Sequence, residues 1–115
     1  MQTVLLTPTF ERQAKAAGLS EDEIAGIVSV LAADPLAGDL ISGTGGARKV
    51  RFARVGAGKS GGYRTIHYFG GDDVPIFLLG LIDKRERANL SKAERNELAA
   101  ILPKIAAAYR EGWKE

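Results

Sequence analysis

The sequence has no cysteine and only one histidine, His67. Neither a disulfide framework nor a thiolate metal site is available, and one imidazole cannot furnish a multi-histidine zinc site. No metal and no cofactor are therefore expected. Long hydrophobic runs are missing as well. The apolar stretch from Val4 to Leu6 is far too short for a membrane span or a signal peptide, and MQTVLLTPTFER carries no basic leader. A cytoplasmic location with no membrane partner follows as the expectation. No repeat, linker or low-complexity tract marks a boundary, so residues 1–115 are read as one domain.

What is present is an ordinary globular balance, with 45% apolar and 26% charged residues in 115. The net charge of +2 conceals an uneven distribution. Between Leu40 and Gly71 there are six basic residues (Arg48, Lys49, Arg51, Arg54, Lys59 and Arg64) and no acidic one, while the remainder carries ten basic and fourteen acidic residues. A charge run is often only a solvated face. The same polarity is also how a protein attracts a phosphate backbone.

Residues 2 to 6 read as a short strand. Thr7-Pro8 then has the form of an N-cap with proline at the first helical position, and Gly18 suits the left-handed residue after that helix ends near Ala17. Ser20-Glu21-Asp22-Glu23 is a capping box opening a second helix with an apolar stripe of Ile24, Ile27, Val28 and Leu31, stopped by Asp34-Pro35. From Arg48 to Ala53 the chain alternates, with Lys49 and Arg51 on one side and Arg48, Val50 and Phe52 on the other. Tyr63 to Phe69 has strand composition, and Ile76 to Ile82 reads as a central strand covered on both faces. The short connections predict an antiparallel meander. Ser91-Lys92-Ala93-Glu94 caps a last helix that Leu98, Ile101, Leu102 and Ile105 continue as an amphipathic pattern, and Pro103 predicts a kink or restart. The fold class is α+β: an antiparallel sheet, an N-terminal helical hairpin packed on it and a C-terminal helix.

The stretch from Ala53 to Ser60 fits a permissive Walker A pattern, and Gly56 to Gly61 fits GxGxxG. Both need a helix directly after the loop, whose N-terminal amides bind phosphate. Here Gly62 to Phe69 has strand composition instead. No nucleotide cofactor is expected, and a basic hairpin loop is the plainer reading.

Three segments, Gly43 to Phe52, Gly58 to Phe69 and Lys84 to Ser91, together resemble the RelE/HigB family of toxins from type II toxin–antitoxin systems, within the RelE/ParE superfamily. They cover about half of the chain, and their order with the flanking helices matches the RelE-like toxin fold. The resemblance implies an mRNA interferase: an endoribonuclease acting on mRNA in the ribosome to inhibit translation, and held in check by a cognate antitoxin. It implies catalytic roles for Lys49 and Arg51 in the basic strand, Arg64 in the Gly-aromatic-Arg motif and Arg85 in Lys-Arg-Glu-Arg. Where some members have a catalytic tyrosine this chain has Ser91. That departure places it nearer the HigB-like branch, whose antitoxins are commonly helix-turn-helix proteins of the HigA type.

The residue types suit metal-independent cleavage, in which the RNA 2′-hydroxyl attacks the adjacent phosphate. Guanidinium groups can hold the transition state through paired hydrogen bonds but cannot serve as bases. The base is then Lys49, Lys59, Lys84, Tyr63 or His67, and surrounding positive charge favours the neutral form of a lysine. Lys49 is the choice, with Lys84 the second proton-transfer candidate. Arg48, Arg54, Lys59, Tyr63, Lys84 and Arg87 complete the expected RNA-binding set. Tyr63 could stack on a base, although strand tyrosines more often pack. His67 is read as a packed or surface histidine. Two other functions fit the same outline: a ParE-like gyrase poison, which lacks the catalytic cations, and a non-enzymatic basic module that only binds nucleic acid.

Overall fold

The computed structural model describes residues 2–53 and 62–113. The glycine-rich loop with its two phosphate-loop patterns, together with Arg54 and Lys59, lies outside the described residues, as does the side chain of Trp113.

The chain runs β1 (Val4–Leu6), α1 (Pro8–Ala16), α2 (Glu21–Ala33), β2 (Asp39–Leu40), β3 (Arg48–Phe52), β4 (Tyr63–Tyr68), β5 (Ile76–Asp83) and α3 (Lys92–Trp113). The expected α+β class and helical hairpin are found. Thr7 caps α1 by accepting from the Phe10 N–H, and Gly18 follows at φ +80°. Ser20 and Glu23 close both bonds of the α2 capping box, and Asp34 ends that helix. The five strands lie in the order β1-β5-β4-β3-β2. Strands β2 to β5 pair antiparallel, which includes the expected meander, while β1 joins the outer side of β5 in parallel. The sheet is therefore mixed. The crossing from β1 through two helices returns the chain to the far side of the sheet, which makes a parallel edge pairing possible. Two-residue β2 is too short for an alternation pattern to mark it in sequence.

Each face of the sheet has its own core. Phe10, Ala14, Ile27 and Leu31 of the hairpin pack against Tyr63, Ile76, Leu78 and Leu81, with Val50 and Phe52 alongside. On the other face Ala47, Ile66, Ile82 and Leu102 are buried, joined by Leu79, Leu98 and Ile105. Burial on both faces accounts for the unbroken apolar run of β5. An irregularity opposite Ile66 and His67 places Gly80 against Ile66 but Leu78 against His67, so Leu79 is extra and β5 changes face there.

Helix α3 continues through Pro103 without the expected interruption. Leu102 and Ala106, on either side of it, are both buried, and this packing outweighs the helix-breaking tendency of proline. Ala99, whose carbonyl loses its donor four residues on, is exposed, so water can take that place. The end of α3 is held by Tyr109, edge-on to Phe77 at 6.1 Å, and by Arg110, which bonds Asp73 and the Gly70 carbonyl. Among the described residues, no helix is long and apolar enough to cross a membrane.

Candidate functional site

Alternation along β3 and β4 decides which side chains meet. Val50 and Phe52 belong to the core under α1 and α2, which turns Lys49 and Arg51 to the α3 face. On β4, Ile66 belongs to the α3 core, so Arg64, two residues earlier, lies on that same face. Arg51 is the direct cross-strand partner of Arg64, and Lys49 that of Ile66. Like charges directly opposite each other on a sheet destabilise it by a few tenths to about 1 kcal/mol. Among the described residues, none of these three cations forms an ion pair with a carboxylate. This arrangement works against folding and has no internal counter-ion among the described residues, which makes the face a candidate for binding an external anion.

Lys49 and Arg64 line a cleft of about 230 Å³ between the sheet and the start of α3, floored by Ile66 and Ile82. The turn before α3 contributes Asn89, whose Oδ1 accepts from Arg64 Nη1 at 3.0 Å. This contact orients the guanidinium without neutralising it. Arg95, from the first turns of α3, lines the same cleft. Strand β2 forms the outer wall through Leu40, and its entry depends on Gly38. A Cβ there would lie 2.0 Å from the Lys49 carbonyl oxygen, and the residue has φ +81°, so only glycine lets the chain pass this close to Lys49.

The other expected residues are placed differently. Arg48 lies on the opposite face from Lys49 and donates to the Leu36 and Gly38 carbonyls at 3.0 and 3.1 Å. Tyr63 is 2% exposed within the core beneath the helical hairpin, facing away from Arg64, so its ring is not presented to a nucleobase. Arg85, in the turn after β5, forks onto both oxygens of nearly buried Asp83, with Nε–Oδ1 at 3.1 Å and Nη2–Oδ2 at 2.7 Å. Arg87 is paired with Glu94, whose carboxyl is held down to about 2 by that guanidinium and the helix cap. Lys84 is half-buried, and its backbone N–H extends the ladder to the Gly62 carbonyl. Ser91 is fully used as a cap: its Oγ accepts from the Glu94 N–H, and its own N–H donates to Glu94 Oε1.

His67 is fully buried beside Arg48, and its Nε2 lies 2.9 Å from the Pro35 carbonyl. A carbonyl can only accept, so Nε2 carries the proton. Desolvation is the main cause that lowers the pKa of this imidazole, keeping it neutral. It ties the loop before β2 to the sheet and faces away from the cleft. Asn89 and Arg95 were not foreseen from the sequence. The available signal for Arg95 was its position: it falls three residues before Leu98 and seven before Leu102, on the apolar stripe of α3.

The assembled site is a half-open cationic cleft in which an amine and forked guanidinium donors can surround a phosphodiester. The family model described as the RelE toxin of the RelE/RelB toxin–antitoxin system matches residues 2–114. With that match across nearly the whole chain, and the expected fold beneath it, the protein belongs to the RelE family of toxins, the toxin half of a toxin–antitoxin pair.

Proposed function

We propose that this toxin is a ribosome-dependent mRNA endonuclease of the HigB-like kind, cleaving by metal-independent attack of the RNA 2′-hydroxyl. The observation that carries this reading is the sheet face shared by Lys49, Arg51 and Arg64, which have no carboxylate partner among the described residues and of which Lys49 and Arg64 line a cleft. In the reaction the 2′-oxygen attacks phosphorus, its proton is taken by Lys49 Nζ acting as the base, and the bond from phosphorus to the 5′-oxygen breaks as that oxygen takes up a proton. Arg64 and Arg51 bear on the non-bridging oxygens, where charge accumulates. Arg85 commits its Nε and Nη2 edge to Asp83, so it meets RNA through its remaining Nη1 and Nη2 donors.

The binding partners in this reading are mRNA held in the ribosome and a cognate antitoxin of the helix-turn-helix, HigA-like type. Among the described residues no aromatic side chain lines the cleft, which fits a substrate positioned by another particle that supplies the specificity.

The products test the chemistry. On ribosomes programmed with a short reporter mRNA, the expected products carry a 2′,3′-cyclic phosphate and a free 5′-hydroxyl, at an EDTA-insensitive rate once the chelated magnesium is replaced by polyamine to keep ribosomes intact. Lys49→Ala is expected to lower the rate about 10²-fold or more. Near-normal cleavage by that variant removes Lys49 from the proton-transfer role, and 5′-phosphate products remove the 2′-hydroxyl mechanism.

A further inference from the structure

Helix α3 faces the sheet through Leu98, Leu102 and Ile105, all packed on the second core. Continuing that stripe one turn toward the N-terminus, the spacing arrives at residue 95, where an apolar side chain would extend the seam. The residue there is arginine. It is half-buried, lines the cleft beside Lys49 and Arg64, and forms no ion pair among the described residues. Its neighbour in the turn, Arg87, is by contrast neutralised by Glu94. Partly desolvating a guanidinium on an apolar stripe without a counter-ion is unfavourable for folding alone. It becomes favourable when an anion enters from the open side of the cleft.

We propose that Arg95 is a ligand for an RNA backbone phosphate, closing the Lys49 and Arg64 cleft from the helix side. It supplies the second guanidinium of the cleft beside Arg64, a role for which Arg85, paired with Asp83 and absent from the cleft lining, is not placed. The cleft is then cationic on two walls: Lys49 and Arg64 reach from the sheet and Arg95 from α3. A phosphodiester seated between them is held from both sides, which fixes its orientation as well as its charge. This assignment rests on the nuclease reading only for which polynucleotide is bound.

The test uses the whole chain as Arg95→Met, which keeps length and suits the apolar stripe, and as Arg95→Lys, which keeps the charge. Thermal melting comes first, and Arg95→Met is expected to match or exceed wild type. Binding is then followed by fluorescence anisotropy with a single-stranded RNA oligonucleotide bearing 2′-O-methyl groups, so that it cannot be cut, over a range of salt. One lost phosphate contact lowers the slope of log affinity against log salt by about 0.7 on a single strand. Arg95→Met is expected to show that smaller slope, with binding weakened about tenfold or more at low salt, while Arg95→Lys keeps the wild-type slope. An unchanged slope and affinity in Arg95→Met overturns the proposal, as does wild-type protein that binds no RNA. Cleavage on ribosomes separates the two readings. If wild type fails to cut but the slope depends on Arg95, the phosphate ligand stands and the nuclease falls. If Arg95→Met cuts and binds like wild type, the nuclease stands and the ligand falls.

Discussion

Replacing Tyr63 with alanine removes a side chain that is 2% exposed and packed among Phe10, Leu31 and Leu81. The expected result is a loss of about 3–5 kcal/mol of stability, seen as a lower urea midpoint, and not a selective loss of RNA binding in a stably folded protein. A variant that is as stable as wild type yet blind to RNA would place the ring at the substrate after all. His67 lends itself to a test by pH. Its folded-state pKa lies below the ordinary 6.5, so its contribution is fully present above that pH and is lost as the pH falls below it. Asp73 and Glu94 are shifted downward from ordinary values of 3.8 and 4.5, so they titrate below this window. The urea midpoint of wild type is expected to fall between pH 7.5 and 5.5, and that of His67→Gln to fall less. Equal slopes would show that the buried imidazole does not set the response. At this scale the sequence was readable where alternation applied. Lys49 and Arg51 share a face because they are two apart, and Arg48 is excluded for the same reason. Nothing local told which face of β4 carried Tyr63 inward, because that depends on the register with β3 and β5.

Among the elements, α3 departs most from expectation. Pro103 is exposed in the middle of a helix that nevertheless runs from Lys92 to Trp113. Since the helix is already formed around it, Pro103→Ala restores the bond to Ala99 without disturbing a packed side chain, and is expected to stabilise the protein by up to about 3 kcal/mol. Thermal melting checks this, and an unchanged or lower midpoint would mean that the proline ring is itself part of the packing. The caps were legible because their signals are short and chemical: Thr7 with Pro8, Ser20 with Glu23, and Ser91 with Glu94 all form as their spacing requires. The parallel place of β1 and the extra residue at Leu79 were not legible. Both are settled by contacts about seventy residues apart in sequence, such as Thr7 Oγ1 donating to the Leu78 carbonyl.

Over the whole molecule, the positive segment between Leu40 and Gly71 is divided by the sheet. Arg48 is turned to one face, where it braces a loop, while Lys49, Arg51 and Arg64 are gathered on the other. A count of charges along the chain cannot reveal that division, because it depends on which face of the sheet each side chain takes. The cleft also draws on Asn89 and Arg95, which the chain brings in only after β5 has crossed the sheet and α3 has packed back over it. The proposed nuclease activity therefore depends on a particular convergence of β3, β4 and α3, with Arg64 at its centre. Primer extension on a reporter mRNA in a purified translation reaction, with and without ribosomes, compares wild type with Arg64→Ala most directly. Cuts within codons that require ribosomes, and that fall about 10²-fold or more in the variant, are the expected result of the proposed nuclease activity. Absence of cleavage by wild-type protein, with DNA supercoiling by gyrase inhibited instead, would contradict that activity.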